Sequence, residues 1–341
     1  MLFLYFLVSR SGMPVSYHQE LEVAIRAVRV AAHVCRAVQD DMVTPQSLEK
    51  KDRSPVTVAD FASQAIVCKL LGDVLPDDPV VGEEDAAALR QDEQVHVRDA
   101  VAQHVCEVLG DDSLDTNQVL SWIDRGNADG STGRYWTLDP IDGTKGFLRK
   151  EQYAIALALI EHHEVVLGVL GCPNLSVGDQ KGALYWAHKG VGAHAAPLWE
   201  GTAVPSPVTV SDSTDTSSAR FCESVESAHS DQSQSGQIAA RLGITNEAVR
   251  LDSQAKYAVV ARGEADIYMR LPTRADYREN IWDHAAGMAI IQAAGGKVTD
   301  ITGTQLDFSY GKRLEQNKGI IATNGKLHDQ VIEAVSAVVG L

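Results

Sequence analysis

Apolar residues recur at two different spacings along this chain, and their alternation restricts it to layered helices and sheets. Leu21, Ile25, Val28, Ala32 and Cys35 recur at helical spacing, which predicts an amphipathic helix over about 18–40. A second helix, with Phe61, Ala65, Cys68 and Leu71 on one face, is expected after Pro55-Val-Thr-Val-Ala-Asp60, which puts Asp60 at its start. Pro79–Glu84 reads as a short buried strand that ends in acid, and Tyr135–Leu138 as a strand that stops at Asp139. Tyr153–Ile160 and Val165–Leu170 are apolar runs separated by Glu161-His-His-Glu164, the pattern of a hairpin. Adjacent strand side chains face opposite ways, so His162 and His163 are read as a hairpin tip and not as a metal pair. Val97, Val101, Val105 and Val108 mark another helix, and Tyr185-Trp186 and Val208–Val210 further strands. Asp252–Gly263 is expected to be helical and Ala265–Leu271 a strand. Asp283–Ala294 is a helix stopped by Gly295-Gly296, and Leu327–Val339 closes the chain as another. Strands and helices mix without an internal repeat, so α/β or α+β layering is expected.

The 341 residues allow one large domain or two packed halves. Pro197, Gly201, Pro205 and Pro207 suggest the connection between halves, dividing 13–200 from 201–341. Met1–Val8 is apolar but far short of the ~20 residues a spanning helix needs. It also lacks a basic flank and a small-residue cleavage site. Residues 1–12 are therefore read as an extension outside the fold. The net charge is −16 and the isoelectric point near 5.1, so no basic footprint for nucleic acid exists. Cys35, Cys68, Cys106, Cys172 and Cys222 are odd in number and form no CxxC pair, which suits buried thiols in a reducing compartment. A cytoplasmic monomer acting on a small molecule, with neither nucleic-acid nor membrane partner, is expected.

Asp139-Pro-Ile-Asp-Gly-Thr-Lys-Gly146 is the most informative segment. Two carboxylates stand at the end of an apolar strand. Pro140 fixes φ and Gly143 permits an unusual turn, so Asp139, Asp142 and an intervening carbonyl can point to one centre. Oxygen-only ligands favour Mg²⁺. The amides of Gly143 and Thr144 would then be free for a phosphate oxygen. An acidic β-turn is the other reading of the same residues. Glu83 and Glu84 end a predicted strand, while Asp60 and Asp283 open predicted helices, where N-capping is the alternative role. Carboxylates that converge repel one another unless cations join them.

Asp139-Pro-Ile-Asp-Gly-Thr144 resembles the signature of the inositol monophosphatase superfamily of Mg²⁺-dependent, lithium-sensitive phosphatases. The longer Trp136–Arg149 segment resembles its 3′(2′),5′-bisphosphate nucleotidase branch. So do Ser54–Asp60, Val81–Glu84, Leu251-Asp-Ser-Gln-Ala-Lys-Tyr257 and Ile281-Trp-Asp-His-Ala-Ala-Gly287, in the same order. The family's glycine before the Asp60 position is Ala59 here.

The resemblance implies an αβαβα sandwich of two packed halves, the first carrying a metal site and the second completing the metal and nucleotide sites. Glu83, Asp139, Asp142 and the Ile141 carbonyl would ligate the first metals and Asp283 a further one, for two or three Mg²⁺ ions in all. Li⁺, and in some members Na⁺, would inhibit. Asp60 and Thr144 would orient and deprotonate a water that attacks phosphorus in line. The implied substrate is adenosine 3′,5′-bisphosphate or its 2′ isomer, with AMP as product. The related phosphosulfate, 3′-phosphoadenosine 5′-phosphosulfate, is a further implied substrate. Lys256 and Arg270 would meet the second phosphate with Ser253 as donor, and Glu226, His229 and Asp252 would line the nucleotide pocket. An inositol polyphosphate 1-phosphatase and a non-catalytic adenosine bisphosphate sensor are the alternatives. No GxGxxG opens a helix, and Gly190-Val-Gly192 reads only as a tight turn.

Overall fold

The structure is a computed structural model that describes residues 17–44, 54–225, 232–272, 274 and 276–340. Residues 1–12, the expected extension, lie outside them. Helix α1 (His18–Met42) buries Val23, Ala27, Val28, Ala31, Cys35 and Val38, the stripe its spacing predicts. Helix α2 (Ser54–Val74) is buried on nearly every side. From Ser54, its first described residue, the helix runs unbroken through Asp60. Asp60 therefore lies inside the helix, not at its start, and capping does not explain it.

Seven strands form the first sheet: β1 (Val80–Gly82), β2 (Arg134–Asp142), β3 (Ala154–Glu161), β4 (Glu164–Val177), β5 (Gln180–His188), β6 (Gly192–Pro197) and β7 (Ser206–Val208). They lie in chain order, with β1 parallel to β2 and every later pair antiparallel. Strand β3 shows why these strands read as unbroken apolar runs. Ile155, Leu157 and Leu159 join one core with α1 and α2, whereas Ala154, Ala156, Ala158 and Ile160 join a second core on the opposite face. Both faces are covered, so neither parity is polar. The β3–β4 connection is the expected hairpin, with His162 (φ 50°) and His163 (φ 67°) in its turn. Helix α3 (Val95–Leu109) follows the predicted pattern. Helix α4 (Thr116–Asp124) was not read from the sequence and is capped by the Asp115 carboxylate, which accepts from the amides of Asn117 and Gln118.

The chain passes to the second sheet between Val208 and Phe221, just beyond the Pro- and Gly-rich stretch. Strands β8 (Phe221–Glu223), β9 (Val249–Arg250), β10 (Ile267–Arg270), β11 (Lys297–Thr299) and β12 (Ile320–Thr323) run in the order β11-β12-β10-β8-β9. Helices α7 (Ala255–Ala261) and α8 (Ala285–Ala293) fill the space between the sheets. Helices α6 (Gln232–Leu242) and α9 (His328–Val339) cover the far face, where Ile238, Val331 and Val335 pack on Phe221, Ile267 and Ile321. Five layers result, αβαβα. Burying each large aliphatic side chain contributes about 1.5–3 kcal/mol, so three contiguous cores suffice to hold the layers in register.

All five cysteines are unpaired. Burial pushes the thiols of Cys68, Cys172 and Cys222 up to about 12, which leaves them unreactive. Among the described residues no helix is long and apolar enough to cross a membrane.

Candidate active site

Strand β2 does not stop at Asp139. Asp139 pairs with Ala156 and Asp142 with Ala154, so three steps on β2 face two on β3. This is a β-bulge at Pro140-Ile141, where the missing proline N–H removes no regular ladder bond. In an even pleat, residues three apart face opposite sides of a sheet. The extra residue cancels that alternation, and both Asp139 and Asp142 open onto one cleft. The Ser63 hydroxyl of α2 donates to the Pro140 carbonyl at 3.0 Å and fixes the bulge from behind. Gly143 follows with φ 92°, a left-handed conformation that suits glycine, and caps the short helix α5 (Thr144–Leu148).

Two other segments bring acids to the same place. Strand β1 runs parallel beside β2, and its end delivers Glu83, whose amide donates to the Leu138 carbonyl at 3.2 Å. Asp283 comes from a 3₁₀ turn, Ile281–Asp283, ahead of α8. This corrects its expected place at the head of the α-helix, whose N-terminal cap is His284. Glu83, Asp139, Ile141, Asp142 and Asp283 all line a cleft of about 300 Å³.

The electrostatics of this convergence are unfavourable without a cation. Burial, reinforced by Glu83, Asp142 and Asp283, holds the Asp139 carboxyl well above the usual carboxylate range. Glu83 is pushed up to about 8 by enclosure and by Asp283, Glu84 and Asp142. Glu83 is itself exposed to solvent at the cleft mouth, which screens part of this repulsion. Asp283 is pushed up to about 6 by burial, partly offset by Arg270 and His284. Asp139 Oδ1 is buried with no hydrogen-bond partner. An orphaned buried oxygen among four acids is what a bound cation would satisfy, and the all-oxygen donor set fits Mg²⁺.

Thr144, Gly143, Asp252, Ser253, Lys256 and Arg270 also line the cleft. Asp252–Gln254 is a turn and not part of α7, with Ser253 at φ 69°, which shortens the helix expected from Asp252. Lys256 is buried. Its Nζ donates to the Ser253 carbonyl at 2.9 Å and lies 5.3 Å from the centre of the Tyr268 ring. Burial pulls its pKa down while Asp142 opposes the shift. Asp252 accepts from Arg149 Nη2 at 2.6 Å. Asp60 is buried behind the cleft and is not among its lining residues. Burial and the charges of Glu84 and Glu83 hold its carboxyl well above the usual range. Among the described residues Asp60 makes no hydrogen bond to Thr144. Glu226 and His229 lie outside the described residues.

Sequence reasoning missed two groups. Gln254 bridges the segments that carry Asp142 and Asp283. Glu279 binds Arg270 Nε at 2.9 Å and His284 Nε2 at 3.2 Å. Glu279, Asp283 and His284 have ligand atoms within 4.8 Å of one another, but Arg270 already supplies positive charge there. Gln254 stands inside the Leu251–Tyr257 motif and Glu279 just before Ile281–Gly287, yet a lone Gln or Glu carries no spacing signal.

The inositol monophosphatase family model matches residues 16–339. The chain is 44% identical to a 3′(2′),5′-bisphosphate nucleotidase 1 of Candida albicans, over 94% of this chain and 96% of that protein. It is 43% identical to a 3′(2′),5′-bisphosphate nucleotidase of Schizosaccharomyces pombe, over 95% and 96% of the two chains. Among solved structures, inositol monophosphatase-II of Staphylococcus aureus superposes with a TM-score of 0.62 at 19% identity, covering 96% of this chain and 100% of that one. The Thermotoga maritima IMPase superposes at 0.61 and 22% identity, with 94% and 98% covered. These likenesses show a shared fold.

Proposed function

The chain belongs to the inositol monophosphatase family, and we propose that it is a phosphoric monoester hydrolase that removes the 3′ (or 2′) phosphate of adenosine 3′,5′-bisphosphate to give AMP and phosphate. The observation that carries this is a cleft lined by five acids from four separate segments, Glu83, Asp139, Asp142, Asp252 and Asp283, together with the cationic side chains Lys145, Lys256 and Arg270. Relatives named as bisphosphate nucleotidases over nearly the whole chain support the substrate class.

In this reading Glu83, Asp139, Asp142, the Ile141 carbonyl and Asp283 hold two or three Mg²⁺ ions. The chemistry such ions would supply when bound is screening of the phosphate dianion, a lowered pKa of water and stabilisation of the departing alkoxide. The Thr144 hydroxyl orients the attacking water in line with the scissile bond. Asp60, which does not line the cleft, would take the proton through the Thr144 hydroxyl, its carboxyl ionising once bound cations offset the charges of Glu83 and Glu84 that raise it here. The main-chain amides of Gly143 and Thr144 head a short helix and are available to a phosphate oxygen. Lys256 and Arg270 meet the second phosphate, with Ser253 as a hydrogen-bond donor and Asp252 on the nucleoside side; Glu226 and His229 are assigned to nucleotide recognition by the family resemblance alone. Li⁺ inhibits by competing for a Mg²⁺ position, and 3′-phosphoadenosine 5′-phosphosulfate is a second substrate.

Phosphorus NMR of a reaction with adenosine 3′,5′-bisphosphate and Mg²⁺ tests the assignment. Loss of the 3′ resonance with the 5′ resonance retained is expected. Release of the 5′ phosphate, or no release, overturns it.

A further inference from the structure

Arg270 ends strand β10 at the cleft, and three buried side chains stand behind it that the proposed reaction does not use. Glu279 Oε2 accepts from Arg270 Nε at 2.9 Å and lies 3.2 Å from His284 Nε2. His284 Nδ1 lies 2.8 Å from the Tyr257 hydroxyl. Glu279 is 3%, Tyr257 1% and His284 0% exposed. Tyr257 reaches this position because Gly287 has no side chain, as a Cβ there would fall 2.3 Å from the Tyr257 ring.

The contacts form one continuous line. An ionised Glu279 can only accept, so it takes hydrogen bonds from Arg270 Nε and His284 Nε2, while His284 Nδ1 pairs with the Tyr257 hydroxyl. The line ends on a carboxylate that faces a guanidinium.

The consequence for Arg270 is directional. Its five donors lie in one rigid plane. Tying Nε to Glu279 leaves the terminal nitrogens for the cleft, where Nη2 lies 3.4 Å from the Tyr277 hydroxyl and 3.9 Å from Asp283 Oδ2. Asp283 competes for the same cation. Without Glu279 the guanidinium would be drawn onto Asp283, and an anion-binding group and a cation-binding group would neutralise each other.

We infer that Glu279, His284 and Tyr257 are positioning residues, a buried brace that holds Arg270 toward the substrate's second phosphate and off Asp283. The inference rests on the bisphosphate reading given under Proposed function. Steady-state kinetics of the full chain at saturating Mg²⁺ test it, using adenosine 3′,5′-bisphosphate and adenosine 3′-monophosphate, which lacks the second phosphate.

Glu279→Gln keeps an acceptor for His284 and removes the charge that faces Arg270. It is expected to raise KM for the bisphosphate about tenfold, the scale of one charge-assisted contact, and to leave kcat and the monophosphate KM within about twofold. Tyr257→Phe acts one bond further back and is expected to move the same ratio by about threefold. If Glu279→Gln does not fold, Tyr257→Phe decides alone. A purely structural role would shift both substrates together, and an unchanged ratio of the two KM values overturns the inference. The wild-type protein separates this from failure of the underlying reading. If it shows no preference for the bisphosphate, that reading falls and the brace with it.

Discussion

The main-chain N–H of Gln254 donates to Asp142 Oδ2 at 2.6 Å, which ties the bulged strand to the segment before α7. The Gln254 side chain completes the link. Its Nε2 donates to the Trp282 carbonyl at 2.8 Å, and its Oε1 accepts from the Gly287 amide at 3.1 Å. One buried residue thus sets the spacing between the segments that present Asp142 and Asp283. Gln254→Ala keeps the main-chain bond but strands a buried carbonyl and a buried amide. A loss of about 2–6 kcal/mol in stability is expected by chemical denaturation, from two unsatisfied groups at about 1–3 kcal/mol each. Mg²⁺ affinity measured by calorimetry should fall in the same variant. Unchanged affinity would mean that Gln254 does not set the geometry of the acids.

Asp142→Asn should abolish turnover while the protein stays folded. The asparagine carbonyl can still accept from the Gln254 amide, so the local fold keeps its bond, whereas the ligand charge is gone. Loss of several kcal/mol of charge stabilisation corresponds to at least about a 10³-fold fall in kcat. Phosphate release and circular dichroism of the same sample check both halves. Retained Mg²⁺-dependent release would count against the proposed cation site.

Lys256→Ala should raise KM for adenosine 3′,5′-bisphosphate far more than for a monophosphate. Lys256 lines the cleft from a buried position, and among the described residues its Nζ donates to the Ser253 carbonyl alone. Two donor positions therefore remain for an anion. Equal effects on the two substrates would reject its assignment to the second phosphate.

Stability should depend on pH with a sign opposite to that of an ordinary salt-bridged carboxylate. Glu83 is pushed up to about 8 and Asp283 to about 6, so the folded metal-free protein holds protons that the unfolded chain has released. Their contribution favours folding fully below the ordinary carboxylate range and is lost as pH rises through each shifted value. With chelator present, Tm is expected to fall from about pH 5 to about pH 8, and Mg²⁺ to raise Tm more at the upper end. Differential scanning fluorimetry reads both. A Mg²⁺ shift that is larger at the acid end would contradict the acid cluster as the binding site.

Much of this molecule was legible in the sequence because burial leaves a period. The stripe on α1 and the two apolar runs of β3 and β4 gave their elements directly. Asp139-Pro-Ile-Asp142 pointed to a converging acid pair, although the bulge that makes it converge reads as a strand end when only alternation is counted. Asp60 was placed at a helix start because the apolar stripe was counted from Phe61, whereas Ser54–Ala59 are already helical. The short strands β6, β8, β9 and β11 and helices α4, α5 and α6 were missed, since two to eleven residues carry too little pattern against their surroundings. Gln254, Glu279 and Tyr257 stayed silent for another reason. Their roles depend on partners far along the chain or across a turn, and only the packed layers bring those together.

Phosphate release from adenosine 3′,5′-bisphosphate, measured beside inositol 1,4-bisphosphate and inositol monophosphate with Mg²⁺ and again with excess chelator, tests the central claim most directly. The account predicts the highest kcat/KM for the nucleotide and loss of activity in chelator. A higher kcat/KM for either inositol phosphate, or release that persists in chelator, would contradict it.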